Sequence, residues 1–307
     1  MLSRLLLASA RSERMRDVIT AVPLTRGVVD RFVAGEDLDA AVRAVRELTG
    51  DGLQVTLDHL GEDTLDRAQA ARTRDAYLAL FDALAAQGLT EGAEASVKLS
   101  AVGQALPDGE AIALDNAHRV AEAAHRLGMT VTLDMEDHTT VDSTLGILGK
   151  LRADFPATGV AIQAMLRRTE GDLRDLVHEG SRVRLVKGAY AEPASVAYQG
   201  RDEVDRAYVR DLRLLMEGDG HPMVASHDPR IIEIALELAR RTGRTPGSYE
   251  FQMLYGIRAA EQRRLVQDGQ RMRVYVPYGG DWYGYFMRRL AERPANLAFF
   301  LRSFVSR

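Results

Sequence analysis

Thr130-Val-Thr-Leu-Asp134, a helical stretch from about Thr140 to Asp154, and Gly159-Val-Ala-Ile-Gln-Ala164 form one strand–helix–strand unit. Both apolar runs are short and rich in Val, Leu and Ile, the pattern of strands buried on both faces of a parallel sheet. Parallel strands need a crossover connection, and the intervening helix supplies it. The same unit repeats in both directions. Upstream lie Leu53-Gln-Val-Thr-Leu-Asp58 with a helix ending at Gly88, then Ala95-Ser-Val-Lys-Leu-Ser100 with a helix ending at Gly128. Downstream, the helix after Ala164 ends at Gly180, and Val183-Arg-Leu-Val-Lys-Gly188 precedes a helix over about 202–217. Pro222-Met-Val-Ala-Ser226, Tyr249-Glu-Phe-Gln-Met-Leu254 and Met272-Arg-Val-Tyr-Val-Pro277 complete the series, with helices ending at Gly243 and Gly269 and a last one after Asp281. Glycine follows many of the helices, as at a C′ position.

Eight strands alternating with eight helices over about 250 residues point to an α/β chain folded as a TIM (β/α)8 barrel. An open doubly wound sheet is the alternative, but it more often shows a glycine fingerprint after its first strand, and none is present. Three helices are expected before the barrel, over 2–20, 25–34 and 37–48, with Asp37 capping the third. The chain thus divides into a helical segment at 1–49 and a barrel at 50–307, closed by a helix at about 295–305.

The 307 residues are 46% hydrophobic and 27% charged, with a net charge of −4, an ordinary globular balance that argues against nucleic acid as a main partner. The chain has no cysteine, which excludes thiolate metal sites, Fe–S clusters and thiol nucleophiles. No apolar run is long enough to span a membrane, and the start, Met1-Leu-Ser-Arg-Leu-Leu-Leu-Ala8, reads as an amphipathic helix. A cytoplasmic setting fits.

In a barrel the chemistry sits at the C-terminal strand ends. Lys98, within strand two, is a Schiff-base nucleophile, a fixed cation for an anion, or a side chain snorkelling to the rim. Asp134 ends strand three, followed by Met135, Glu136, Asp137 and His138; metal binding or acid–base work fits the cluster, with Asp137 a helix cap. Gln163, late in strand four, offers a donor and an acceptor. Arg184 and Lys187 lie in strand five without an adjacent carboxylate in sequence, so they call for an anionic partner such as a flavin or a phosphate. Gly188 and Ala189 leave room for a flat ring beside the backbone. Ser226-His227-Asp228 ends strand six, but no Gly-x-Ser-x-Gly elbow supports a hydrolase. Gln252 and Leu254 end strand seven, and Tyr275 lies in strand eight. On the helix after Asp281, Tyr285, Arg288, Arg289 and Glu292 share one face by their three- and four-residue spacing. Two guanidiniums with a carboxylate beneath them make an anion clamp; the bland reading is a surface helix with ordinary ion pairs.

Ser96-Val-Lys-Leu-Ser100, Leu133-Asp134, Gln163, Arg184-Leu-Val-Lys-Gly-Ala-Tyr190, Ser226-His227, Glu250-Phe-Gln-x-Leu254, Tyr275 and Tyr285-x-x-Arg288-Arg289-x-x-Glu292 together resemble the monofunctional bacterial proline dehydrogenases. The resemblance covers about residues 95 to 295; Tyr278-Gly-Gly-Asp-Trp282 departs from many relatives, and the N-terminal helices match weakly. It implies a distorted barrel with noncovalent FAD at the strand ends and oxidation of L-proline to 1-pyrroline-5-carboxylate, with electrons passed to a membrane quinone through peripheral contact at the inner face. It further implies that Lys98, Arg288 and Arg289 hold the substrate carboxylate and that Tyr275 and Leu254 pack on its ring, with Tyr285 and Glu292 in the same substrate site. Asp134 and Arg184 are the implied catalytic pair, Arg184 near the flavin. Met135, Gln163, Lys187, Gly188, Ala189, Ser226 and His227 line the cofactor. No metal is called for. Two other readings stand beside it: a Schiff-base aldolase using Lys98 or Lys187, and a non-catalytic interaction protein.

Overall fold

The computed structural model describes residue 29, residues 31–61 and residues 64–292, with side chains described as far as Met287 in the last helix. The expected helices at 2–20 and 295–305 lie outside the described residues, as does half of that at 25–34; its described end, residues 31–34, is a turn running into irregular chain rather than helix. The third N-terminal helix is present as α1, Leu38–Gly50, and the Asp37 side chain caps it by accepting from the Ala40 amide at 2.8 Å.

Eight parallel strands then close on themselves in sequence order: β1 (Gln54–His59), β2 (Ala93–Val97), β3 (Thr130–Leu133), β4 (Gly159–Gln163), β5 (Arg182–Val186), β6 (His221–Ala225), β7 (Glu250–Leu254) and β8 (Met272–Tyr278). Closure is by β1 on β8, in the register Val55↔Val274 and Leu57↔Val276. The helices that follow the strands are α2 (Arg67–Ala86), α3 (Gly109–Arg126), α4 (Val141–Asp154), α5 (Thr169–Arg174), α6 (Arg201–Glu217), α7 (Pro229–Thr242), α8 (Ala259–Gln267) and α9 (Trp282–Glu292). Several boundaries differ from the sequence reading; β5 ends at Val186, so Lys187 lies past that strand rather than within it. The helix after β4 stops at Arg174 rather than running toward Gly180. Strand β2 begins and ends earlier than expected, so Lys98 sits just past its C-terminal end, on the mouth side. No helix of the described residues is long and apolar enough to cross a membrane.

The alternation of side chains along each strand sorts two faces. Val55 and Leu57, Ala95 and Val97, Val131 and Leu133, Val183 and Leu185, and Val274 and Val276 are buried in the large apolar core shared with the helices. The alternate positions carry Thr56, Glu94, Ser96, Arg182, Arg184, Glu250, Gln252 and Arg273, and these meet one another across the barrel axis. Burying charge is tolerated only when it is paired and hydrogen-bonded. Among the described residues Asp58, Glu94, Asp134 and Glu250 are matched by Lys98, Arg182, Arg184 and Arg273. The barrel interior is therefore a neutralised polar ladder with apolar packing outside it.

A second, smaller core seats the last helix. Trp282, Tyr283, Phe286 and Met287 of α9 pack on Val29, Phe32, Val33 and Leu60. The Trp282 Nε1 donates to Glu36 at 3.0 Å, and the amide of Ala34 donates to the Pro277 carbonyl at 3.0 Å. The segment before α1 thus holds α9 at the barrel mouth.

Candidate active site

A cavity of about 620 Å³ opens at the C-terminal ends of the strands. Of the residues singled out from sequence, Lys98, Asp134, Met135, Gln163, Arg184, Lys187, Gly188, Ala189, Ser226, His227, Leu254, Tyr275 and Tyr285 all line it. The backbone of α9 carries Arg288, Arg289 and Glu292 onward from Tyr285, but the side chains of those three lie outside the described residues.

The floor is a polar cluster. Lys98 Nζ donates to both oxygens of Asp58 at 2.8 Å and lies 3.4 Å from Asp134 Oδ2. Tyr275 Oη donates to Asp134 Oδ2 at 2.7 Å and lies 3.4 Å from Lys98 Nζ. Arg184 Nη1 donates to Asp134 Oδ1 at 2.7 Å and to Ser96 Oγ at 2.8 Å. Its Nε donates to Gln252 at 2.7 Å, its Nη2 to Glu94 at 2.9 Å, and its guanidinium carbon stands 5.3 Å from the Tyr275 ring centre.

The two floor carboxylates have opposite proton affinities. Burial pushes the Asp58 carboxyl up, and Lys98 beside it offsets this only in part. Burial acts on Asp134 in the same sense, but Lys98 and Arg184 together outweigh it and hold that carboxyl below its ordinary value. Asp134 has two cations and a serine hydroxyl where Asp58 has one lysine. Burial, reinforced by Asp134 and Asp58, pushes the Tyr275 phenol well up, so it remains a hydrogen-bond donor.

Arg184 and Lys187, expected to be unpaired, both have protein partners. Arg184 lies between Glu94 and Asp134, and Lys187 pairs with Asp205 and, at 3.5 Å, with Asp228. Glu94, Asp134 and Asp228 come from other βα units and Asp205 from the helix after β5, so adjacency in sequence could not reveal them. Gly188 has a structural reason of its own. Its φ is +108°, and a Cβ there would meet the Met165 side chain at 2.5 Å, so Met165 packing and the left-handed backbone demand the glycine.

Other candidates have local roles that the structure makes plain. Ser226 Oγ accepts from the Asp228 amide at 3.1 Å, and Asp228 caps α7. His227 Nε2 accepts the Leu254 amide at 2.9 Å, which ties the ends of β6 and β7. Asp137 caps the 3₁₀ turn His138–Thr140 by accepting from the Thr139 amide, and Glu136 accepts from the Ser100 hydroxyl at 2.6 Å. Gln163 donates to the carbonyls of Met135 and Glu136 at 3.1 and 2.7 Å, while its own side-chain oxygen is buried without a protein donor.

Sequence reading missed Asp58, Glu94 and Arg258. Asp58 stands near the end of β1 as Asp134 follows β3, a positional signal that was available. Glu94 alternates with Ser96 on β2 and comes into view once that strand is extended toward its start. Arg258, another residue lining the cavity, has a φ of +54° and donates to the His227 carbonyl at 2.7 Å.

Residues 41–302 match the family model described as proline dehydrogenase. A Deinococcus radiodurans protein named proline dehydrogenase is 42% identical over 89% of this chain and 88% of its own length. A Bacillus subtilis protein named proline dehydrogenase 1 is 38% identical over 92% of each. The fold is similar to a crystal structure of Bdellovibrio bacteriovorus proline utilization A inactivated by N-propargylglycine, with a TM-score of 0.79 and 27% identity over 87% of this chain; this chain spans 32% of that longer one. With a closed (β/α)8 barrel, the polar floor at its strand ends and relatives matched along nearly their whole length, the chain is an enzyme of the proline dehydrogenase family.

Proposed function

We propose that the chain oxidises L-proline to 1-pyrroline-5-carboxylate with FAD, in proline catabolism, and that a membrane quinone takes the electrons through peripheral contact of a cytoplasmic protein with the inner face of the membrane. The observation that carries this reading is the floor cluster of Lys98, Asp58, Asp134, Tyr275 and Arg184 beneath a cavity lined elsewhere by apolar groups such as Ala161, Val186, Ala225 and Met253. Family membership narrows it to proline.

The residues fit a flavin. The buried Gln163 oxygen on the cavity wall needs an N–H donor, and the edge of a flavin ring system offers one. Met135, Val186 and Met253 give flat apolar contact, and Lys187, Ser226 and His227 supply polar contact where β5 and β6 end. Met135, Gln163, Lys187, Gly188, Ala189, Ser226 and His227 would hold the cofactor. When bound, FAD supplies a two-electron acceptor for the hydride leaving the ring carbon next to nitrogen.

The chain's own groups bind and orient. Lys98 offers a fixed ammonium, and Arg288 and Arg289, carried on α9 beyond Tyr285, offer bidentate donors for a carboxylate, with Glu292 orienting them. Leu254 and Tyr275 flank the ring. Holding a substrate at both ends in this way supplies positioning, which is most of what hydride transfer needs. The proton released from nitrogen goes to the floor cluster, where Asp58 has the higher proton affinity of the two carboxylates. Lys98 as an aldolase nucleophile is disfavoured, because a Schiff-base lysine must present a free amine and this one is held by two carboxylates. The reading is tested by incubating the purified protein with L-proline and an artificial quinone and identifying the product by mass; a cyclic imine acid supports it, and recovery of unchanged proline overturns it.

A further inference from the structure

The floor of the cavity rests on a carboxylate that does not itself line it. Glu94 is fully buried on β2. Its Oε1 accepts from Arg184 Nη2 at 2.9 Å and from Thr56 Oγ at 2.8 Å. Its Oε2 accepts from Arg182 Nη2 at 2.9 Å and Thr130 Oγ at 3.3 Å. Burial pushes this carboxyl up, but Arg273, Arg182 and Arg184 pull it down to about 2, so it is a fixed anion.

Arg184 is consequently shared. One edge of the guanidinium meets Asp134 and Ser96, and the opposite nitrogen meets Glu94. Asp134 in turn divides its oxygens between Arg184 on one side and Tyr275 and Lys98 on the other. A planar guanidinium donates in fixed directions, so whatever holds its far nitrogen fixes the direction of its near edge. Without the Glu94 anion the whole Arg184 charge falls to Asp134. That draws Asp134 away from the Tyr275 hydroxyl and Lys98.

We infer that Glu94 is a positioning residue for the reaction, acting through Arg184 to set the Asp134–Tyr275–Lys98 geometry on which substrate rests. The inference depends on the proposed oxidation of proline, because that reaction supplies its readout. It assigns Glu94 to the chemical step and not to proline capture, since the ammonium of Lys98, held by Asp58, remains in place.

The test is anaerobic stopped-flow reduction of the bound flavin by L-proline in the FAD-loaded full chain. Glu94→Gln should lower the limiting rate of flavin reduction about ten- to a hundredfold, the loss expected for one charge-assisted hydrogen bond. The proline concentration for half-maximal rate should stay within about threefold and FAD content should be unchanged. Arg182→Gln, which removes the cation on the other oxygen of Glu94 but keeps the tie to Arg184, should reduce at close to the parent rate. If Glu94→Gln leaves too many unmatched buried cations to fold, the double variant Glu94→Gln/Arg182→Gln restores the balance, and it should show the same slow reduction. A limiting rate within about threefold of the parent in Glu94→Gln, or in the double variant where the single one does not fold, or a loss confined to half-saturation, overturns the inference. So does equal slowing by Arg182→Gln, which marks the ladder as structural only. A parent protein that holds no FAD, or is not reduced by proline, would count against the proposed function instead.

Discussion

Lys98 Nζ lies 2.8 Å from both oxygens of Asp58, a carboxylate one residue before the end of β1 that is almost fully buried. The pair joins two neighbouring strand ends and leaves the lysine on the cavity floor as the cationic partner of an ion pair. Removing one partner of a buried pair strands the other charge, a loss of roughly 3–5 kcal/mol.

Lys98→Met should therefore lower stability and raise the proline concentration needed for half-maximal flavin reduction by at least about tenfold, one charge-assisted contact being worth roughly 1.5–3 kcal/mol. Borohydride added with proline should leave Lys98 unmodified by mass spectrometry of tryptic peptides. An adduct on Lys98 or Lys187 would bring back the aldolase reading.

Tyr275 holds its hydroxyl against Asp134 at 2.7 Å with the ring stacked toward Arg184. Tyr275→Phe keeps the ring and removes the donor to a charged acceptor, a loss of about 1.5–3 kcal/mol. We expect flavin reduction by proline to slow about ten- to a hundredfold at saturating substrate, and discrimination against the 4-hydroxy analogue of proline to weaken, because the phenol that an added hydroxyl would crowd is gone. Unchanged rates and an unchanged ratio between the two substrates would show that the phenol does not face the ring.

Asp211 on α6 gives a pH prediction far from the cavity. It is buried, its Oδ2 has no hydrogen-bond partner, and burial pushes its carboxyl up to about 7, with Arg210 offsetting only part. The folded protein keeps a proton that the unfolded chain releases near the ordinary value of 3.8. Its contribution to stability is thus full below that value and is lost as pH rises through about 7. Asp211→Asn should raise the melting temperature at pH 8 by about 2–4 °C and leave it unchanged near pH 4. Equal melting temperatures at pH 8 would contradict the assignment.

The barrel was legible because the signal is repetitive: short apolar runs, helices between them and glycines at helix ends mark each βα unit independently. The residues on the cavity were legible because polar side chains at strand ends of a barrel converge whatever their separation along the chain. What could not be read was pairing. Arg184 looked unpartnered because Glu94 is 90 positions away and Asp134 is 50, and only closure of the barrel brings them together. The same holds for Lys98 and Asp58, 40 positions apart. Strand ends set by apolar content placed β2 too late, and Glu94, charged yet inward-facing, was left outside it. The runs were read as apolar on both faces, but the inner face is polar, so their apolar content spoke only for the outer one.

The most direct test of the account is the visible spectrum of the purified protein during anaerobic titration with L-proline. Flavin absorption that is present at the start, or appears on adding FAD, and that bleaches as proline is added is the predicted result. A colourless protein that takes up no FAD, or a bound flavin whose spectrum proline leaves unchanged, would contradict it.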